Sequence, residues 1–393
     1  MIYLMLMVFS MLLCLNNAYS ATYWVAKTGS DSRSCTQAQS ESMPKLTIRS
    51  ALSCLSAGST LVVKAGTYHE ETLRLPGGTS WTSPVTIMAK PGGTVVIDAT
   101  SAIDILLDLT YATSSYIIID GFILDATNAA YGLWIEHAHH VRIKNSEVKN
   151  AKNVGIALYG APGSQYVELL NLNVHGNGFT PSNPQIPGHG VYCTSHDNII
   201  DGGSYHGNHG HGVHVYLSPS VGKGAPDRNI VRNIRAYGNG GPGVGIYFGK
   251  GNQVYNNLIY NNGGGLRVSA YNTLVANNTV YGNGPYYGIL IDKPGNTVKN
   301  NIAYQNASGN IDSQVANTLS NNLTTDPNFV NAAAGDFRLQ AGSPAINAGV
   351  TIREVTTDFD KRPRPQGTNF DLGAYEYTDG PGIARPRPRM NKR

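Results

Sequence analysis

Aromatic, imidazole and guanidinium side chains recur in this chain at a spacing near 22 residues. Trp134, Ala157, Tyr192, His214, Tyr247, Arg267 and Leu290 each stand two places after a glycine, in phrases such as Gly132-Leu133-Trp134-Ile135 and Gly265-Leu266-Arg267-Val268. In one row such groups can stack on sugar faces, hydrogen-bond hydroxyls and neutralise a carboxylate. The competing reading is a solvated sheet face that uses Tyr for its strand propensity. Four suitable side chains in succession, Tyr192, His214, Tyr247 and Arg267, favour sugar binding.

The same stretch holds His189, His196, His206, His209, His211 and His214. His189, His196, Tyr192 and Trp134 are candidate substrate contacts. His189 and His211 lie 22 apart and should stack as a pair of ligand type, but no carboxylate or Cys completes a ligand set, so no metal site is assigned. A further series, His175, His206, Tyr237, Tyr260, Tyr281 and Tyr304, predicts a continuous external aromatic stack whose role is structural.

The elements that must position these residues are strands. The repeat glycines, taken as Gly132, Gly155, Gly190, Gly212, Gly245, Gly265 and Gly288, are separated by 23, 35, 22, 33, 20 and 23 residues. A unit this short, with strand phrases and no helical period, cannot bury an apolar face alone, so successive copies must stack into a solenoid. Outward residues one unit apart then become neighbours, and a site is a column. The two long steps carry insertions rich in Pro, Ser and Gly, Phe179 to Pro187 and Ser218 to Arg228, expected to wall a groove around the column. Asn145, Asn171, Asn233, Asn256, Asn277 and Asn300, with Gly202 in line, should stack at a tight turn and bond along the ladder.

A solenoid also needs covered ends. Tyr23-Trp24-Val25, an amphipathic piece from Pro44 to Leu55 read as a helix starting at Pro44, and Thr60-Leu61-Val62-Val63 form the amino-terminal cap. The repeat stops at Asn322, and new phrases such as Gly342-Ser343-Pro344-Ala345-Ile346 and Asp371-Leu372-Gly373-Ala374-Tyr375-Glu376 form the other cap. The organisation is therefore residues 1–20 as a signal peptide, 21–59 cap, 60–321 repeats, 322–378 cap and 379–393 a disordered basic tail. The uncharged apolar start followed by Ala18-Tyr19-Ser20 implies export to the periplasm, cell surface or medium, with no membrane association after cleavage. Export permits Cys35 to pair with Cys54, while Cys193 falls on an inward position and reads as core. The net charge is +4, but Arg385, Arg387, Arg389, Lys392 and Arg393 outweigh it. The body has no bias toward nucleic acid. A capped solenoid needs no partner subunit, and a monomer is expected.

The 22-residue Gly-x-x-Ile units, the opening Tyr-Trp-Val-Ala-Lys-Thr-Gly-Ser-Asp with Ala65-Gly66-Thr67-Tyr68, and the closing phrases resemble secreted proteins of the pectate-lyase-like superfamily. The resemblance implies an all-β fold, a right-handed parallel β-helix, over nearly the whole chain after residue 20. It includes polysaccharide lyases, hydrolases, epimerases and adhesins, so fold does not choose among them. Lyases of this type that cleave chondroitin and alginate place a catalytic Lys after one strand and an Arg on the strand of the next coil, and Lys250 and Arg267 are similarly arranged. The implied reaction is β-elimination on an acidic polysaccharide. Lys250 or His214 takes the proton α to the uronate carboxylate, Arg267 offsets the enolate charge and Tyr247 protonates the leaving oxygen. Those lyases use calcium held by acidic residues. The coils beside Lys250 show none, with Asp197 and Asp201 one or two coils away, so no cofactor is expected. Gly188-His189-Gly190, Gly210-His211-Gly212 and Arg142-Ile143-Lys144 resemble signatures of polygalacturonase-like hydrolases, but in reversed order and with no Asp-Asp pair for an acid and a base. Two alternatives stand: a non-catalytic glycan-binding or adhesion protein, and a uronate C5 epimerase, to which Tyr192 with His196 is faintly similar.

Overall fold

The computed structural model describes residues 20–160, 164–179, 188–217 and 225–378. The expected signal peptide, most of both groove-walling insertions and the basic tail fall outside the described residues. Within them the chain winds as a parallel β-helix. Each regular coil gives one strand to a ten-stranded sheet and two to a twenty-stranded sheet, as with Ala129–Ile135, Val141–Lys144 and Glu147–Lys149. Every pairing in these two sheets is parallel and joins one coil to the next, for example Leu133↔Ile156 and Ile156↔Val191.

Alternation creates the interior. Val213, Val215, Val244, Ile246, Leu266 and Val268 point inward and are at most 1% exposed. They belong to one continuous apolar core that runs from Tyr23 to Ala303, with Ile311 packed against its far end. Each fully buried aliphatic side chain contributes about 1.5–3 kcal/mol, so truncating one, as in Ile246→Ala, costs about 2–5 kcal/mol. Stacking in one dimension lets a long chain keep a narrow core.

At the corner between the two strands of the wide sheet, Asn145, Asn171, Asn233, Asn256, Asn277 and Asn300 all take the left-handed conformation, with φ between 51° and 57°, and Gly202 joins them at 74°. Asn tolerates this region because its short side chain bonds locally. The expected ladder along this column is only fragmentary: Asn171 donates to Asn145 and Asn300 to Asn277. The continuous ladder belongs to the next residue, where Asn257 donates to Asn278, Asn278 to Asn301 and Asn301 to Asn322 at 2.9–3.0 Å. That residue turns inward, where its amide must be satisfied by a neighbour instead of water.

Cys35 and Cys54 form a disulfide, and Cys193 is buried and free, its thiol pushed up to about 11 by burial. The helical turn at the amino-terminal end is shorter than expected, Ile48–Leu52, with Thr47 as its cap. Pro44 does not start it, because Lys45 bridges to Val25 as extended chain. At the other end residues from Phe329 to Tyr375 fold back along the wide sheet. Phe337, Ala374 and Tyr375 pack on Leu258, and Arg364 pairs with Glu376 with both side chains wholly buried. This segment also ends the aromatic stack. His175, His206, Tyr237 and Tyr260 stack at 4.6–5.1 Å and within 10° of parallel. Phe337 then contacts Tyr260 at 4.9 Å and Tyr281 at 5.4 Å, interrupting the expected six-ring column.

Candidate active site

The ten-stranded sheet presents outward columns whose register is fixed by its ladder. The central one reads Trp134, Ala157, Tyr192, His214, Gly245, Arg267, Leu290. Tyr247 is therefore not in this column, as the spacing had implied. The repeat glycine of its coil is Gly243, since Val244 and Ile246 are the inward residues. Tyr247 instead continues the next outward column with Tyr159, Thr194, Tyr216, Ser269 and Asp292, each donating its backbone N–H to the preceding coil. On the other side, His189 and His211 precede the strands, their carbonyls accepting from Gly155 and Gly190.

The glycine at 245 has a consequence. With no side chain between His214 and Arg267, the Tyr247 ring leans into the vacant place, and a Cβ on Gly245 would stand 2.5 Å from Tyr247 Cε2 and 2.9 Å from His211 Cδ2. The Tyr247 hydroxyl thereby reaches His211 Nε2 at 3.0 Å. The Arg267 guanidinium lies 5.1 Å from the centre of the Tyr247 ring, an attractive cation–π arrangement. Asp292 Oδ2 accepts from Arg267 at 3.1 Å and from Ser269 at 2.8 Å, while its Oδ1 is buried without a partner among the described residues. His211, Tyr247, Arg267, Tyr286 and Tyr287 line one cleft of about 510 Å³.

Behind this cleft lies a set of three histidines, His189, His211 and His214, whose ligand-type atoms are all within 4.8 Å of one another. Burial pushes all three below the usual imidazole range, His211 down to about 4 and the other two well below; mutual repulsion adds to this for His189 and His214, and Arg267 for His211. They are neutral near pH 7. His189 Nδ1 accepts the backbone N–H of His211 at 3.0 Å, so the proton of the neutral ring is on Nε2, which donates to His214 Nδ1 at 3.0 Å. A metal bound at His189 Nε2 would have to displace that proton. The tautomer fits a hydrogen-bonded scaffold better than a ligand set.

The sequence-derived residues thus separate. Tyr247 and Arg267 meet in the cleft. His214 is 8% exposed and its lone pair is taken by His189; His189 is 1% exposed with both nitrogens engaged, leaving no atom for a substrate. Lys250 is exposed in the corner turn three residues beyond Tyr247, in register with His196 and outside the lining of the cleft; its backbone N–H bonds Asp227, and its ammonium has no partner among the described residues. Tyr192 lies against His189 and His214, with rings 5.8 and 5.5 Å apart. Trp134 is five coils from Arg267, packed between Tyr131 and Tyr159 with its Nε1 donating to Glu136. His196 bonds Asp197 at the corner turn, away from the cleft. His211 was not singled out as catalytic from sequence. Its 36-residue separation from Tyr247 hides the contact, although its place 22 residues after His189 marked the coil.

A second recess of about 540 Å³, lined by Asn145, Glu147, Asn173, His206 and Tyr237 among others, lies on the wide sheet. Its charges are already matched: Glu147 bonds His175 and Lys149, which hold its carboxyl down at about 2. The stacked rings there turn their faces to one another and leave only edges for a ligand.

A search of curated protein sequences finds no match. Among solved structures, the crystal structure of pectate lyase Pel9A is similar with 16% identity and a TM-score of 0.66, over 92% of this chain and 98% of that one. A rhamnogalacturonan lyase (16% identity, TM-score 0.47, covering 85% and 97%) and the A-module of the Azotobacter vinelandii mannuronan C-5 epimerase AlgE6 (16%, 0.45, covering 68% and 91%) are more distant. At these identities the likeness is one of fold. A family model described as the Pel9A-like, right handed beta helix region matches residues 23–333, and the chain belongs to that family of right-handed parallel β-helices.

Proposed function

We propose that the protein is a polysaccharide lyase that cleaves a uronate-containing chain by β-elimination in the Tyr247–Arg267 cleft. The observation that carries this reading is the meeting of a phenol, a guanidinium and a neutral imidazole at one open cleft, with Tyr247 bonded to His211 at 3.0 Å and Arg267 beside its ring. Burial raises the Tyr247 hydroxyl above its usual range, against the opposing pull of Arg267, so it is protonated near neutral pH and able to act as an acid.

In the proposed reaction Arg267 faces the uronate carboxylate and stabilises the charge that spreads onto it when the α proton leaves C5. In this reading that proton passes to Lys250, the exposed lysine on the coil before Arg267. The C4–O4 bond breaks, the C4=C5 double bond forms, and the Tyr247 hydroxyl gives its proton to the departing oxygen. His214 is a poor base in this arrangement, because the nitrogen with the lone pair faces His189. The three histidines act instead as a neutral scaffold that positions Tyr247. The similarity to pectate lyase Pel9A supports an acidic polysaccharide as partner, and export would place the reaction outside the cytoplasm. No helix among the described residues is long and apolar enough to cross a membrane.

Incubation with uronate polymers in heavy water, followed by proton NMR, tests the reading. An olefinic proton at C4 of new chain ends is the expected result. Deuterium at C5 without chain cleavage would replace it with the epimerase reading, and neither signal would leave a glycan-binding protein.

A further inference from the structure

We infer that the chain held along the ten-stranded sheet is a mixed polysaccharide, in which a uronate is flanked by uncharged sugar units, and not an unbroken run of uronates. This rests on the reading of that sheet as the substrate face and deepens it by naming the substrate class.

The coils space outward positions about 4.8 Å apart, so a glycan lying along the helix axis meets a fresh set of side chains at each coil. A homopolymer of uronates brings a carboxylate to nearly every unit, and each one desolvated on the face needs a cation or strong donors. Among the described residues the face does not supply them along most of its length. From Trp134 through Ala157, Tyr192 and His214 to Gly245 the central column carries no cation. The neighbouring column offers Tyr159, Tyr216 and Tyr247 over the same coils, with Thr194 buried between them, and the imidazoles beside them are neutral. At this end Glu136 stands beside Trp134, and Asp108 and Arg74, next in the same column, offset one another as an ion pair. Lys152 stands in the turn before the strand Val154–Leu158, outside these columns.

The cation of the central column stands at the other end: Arg267, which Asp292 partly neutralises, with the exposed Lys250 and Lys293 in the turns after the strands of the coils on either side. Tyr192 is three steps from Arg267, about 14 Å at about 4.8 Å per step, and Trp134 about 24 Å. Both exceed the Debye length of about 8 Å at physiological salt. Carboxylates over Trp134 and Tyr192 would therefore gain nothing from Arg267, and one over Trp134 would face Glu136. Ring faces and hydroxyls suit uncharged sugars there. One carboxylate at Arg267 with uncharged units toward Trp134 matches the distribution.

Affinity electrophoresis through gels containing polygalacturonate, polymannuronate, hyaluronan or a rhamnogalacturonan backbone reads this independently of catalysis. Retardation at least tenfold stronger in one of the two mixed polymers than in either homopolymer is expected. Equal or stronger retardation by a homopolymer, or none by any polymer, overturns the inference. Tyr159→Lys, and separately Tyr216→Lys, should raise affinity for polygalacturonate several-fold by adding a cation to the neutral stretch; no gain in either folded variant contradicts it. Product formation distinguishes the two claims. Cleavage of polygalacturonate in preference to both mixed polymers removes this inference and keeps the lyase, whereas selective retardation by a mixed polymer without cleavage removes the lyase and keeps the inference.

Discussion

Gly245 is the position at which the geometry of the cleft can be shifted without removing any functional group. A Cβ added there meets Tyr247 Cε2 at 2.5 Å and His211 Cδ2 at 2.9 Å, whereas carbon atoms in contact settle at about 3.5–4.0 Å. The Tyr247 ring must therefore retreat by about 1 Å, which pulls its hydroxyl from His211 and from the leaving oxygen. A misplacement of about 1 Å costs on the order of 10²-fold in rate, or about 2.7 kcal/mol at about 1.36 kcal/mol per decade. The overpacking itself costs about 1–3 kcal/mol of stability, small enough to leave the protein folded. The assay is the rate of unsaturated product formation by Gly245→Ala beside a thermal melt. A folded variant turning over within about twofold of the parent would refute the claim that Tyr247 works from the place Gly245 leaves open.

Tyr247→Phe keeps the ring and removes the proton donor, so turnover should fall by about 10²–10⁴-fold, the range for a general acid, with only about 1 kcal/mol of stability lost with its hydrogen bond; rate measurements and melts on the same samples check both. Arg267→Ala should lower kcat/KM by about 10²–10³-fold, and Lys250→Ala should fall within the general-base range of about 10²–10⁴-fold, read as initial rates. Acid should destabilise the protein through His211. Its folded value near 4 lies below that of the unfolded chain, about 6.5, so the unfolded state binds the proton first and stability falls as pH drops from about 6.5 to about 4. Melting temperatures across that window should decline, and a flat profile would contradict the buried neutral cluster. Reducing the Cys35–Cys54 bridge, which spans 19 residues, should cost about 3 kcal/mol, seen as a lower melting point in reductant.

The coil architecture was legible because each strand phrase repeats an inward–outward–inward pattern at a nearly constant step, and parallel stacking converts that period directly into neighbours. What misled was local. Gly243-Val244-Gly245-Ile246 and Gly245-Ile246-Tyr247-Phe248 both fit the phrase. The second was preferred although Phe248, which it sends inward, is 40% exposed. Taking Gly243 makes the following step 22 residues, the same as from Gly190 to Gly212, and that regularity was the available signal. The Asn column was displaced by one residue for a related reason. Position in the turn could be read from spacing, but which of two adjacent Asn side chains points inward depends on the left-handed φ of the first. Arg267 and Tyr247 were found as chemistry-bearing groups on neighbouring coils. The His211 contact and the service of His189 and His214 as buried scaffold depend on how rings tilt across three coils, which composition and spacing do not encode.

The most direct measurement is ultraviolet detection of unsaturated uronate ends when the protein meets uronate-containing polysaccharides, run in parallel with calcium and with a chelator. The account predicts product that depends on Arg267 and Tyr247 and persists in chelator, since the cleft meets the carboxylate with a guanidinium. No product from any polymer under either condition would contradict the lyase, and product abolished by chelator would contradict the role given to Arg267.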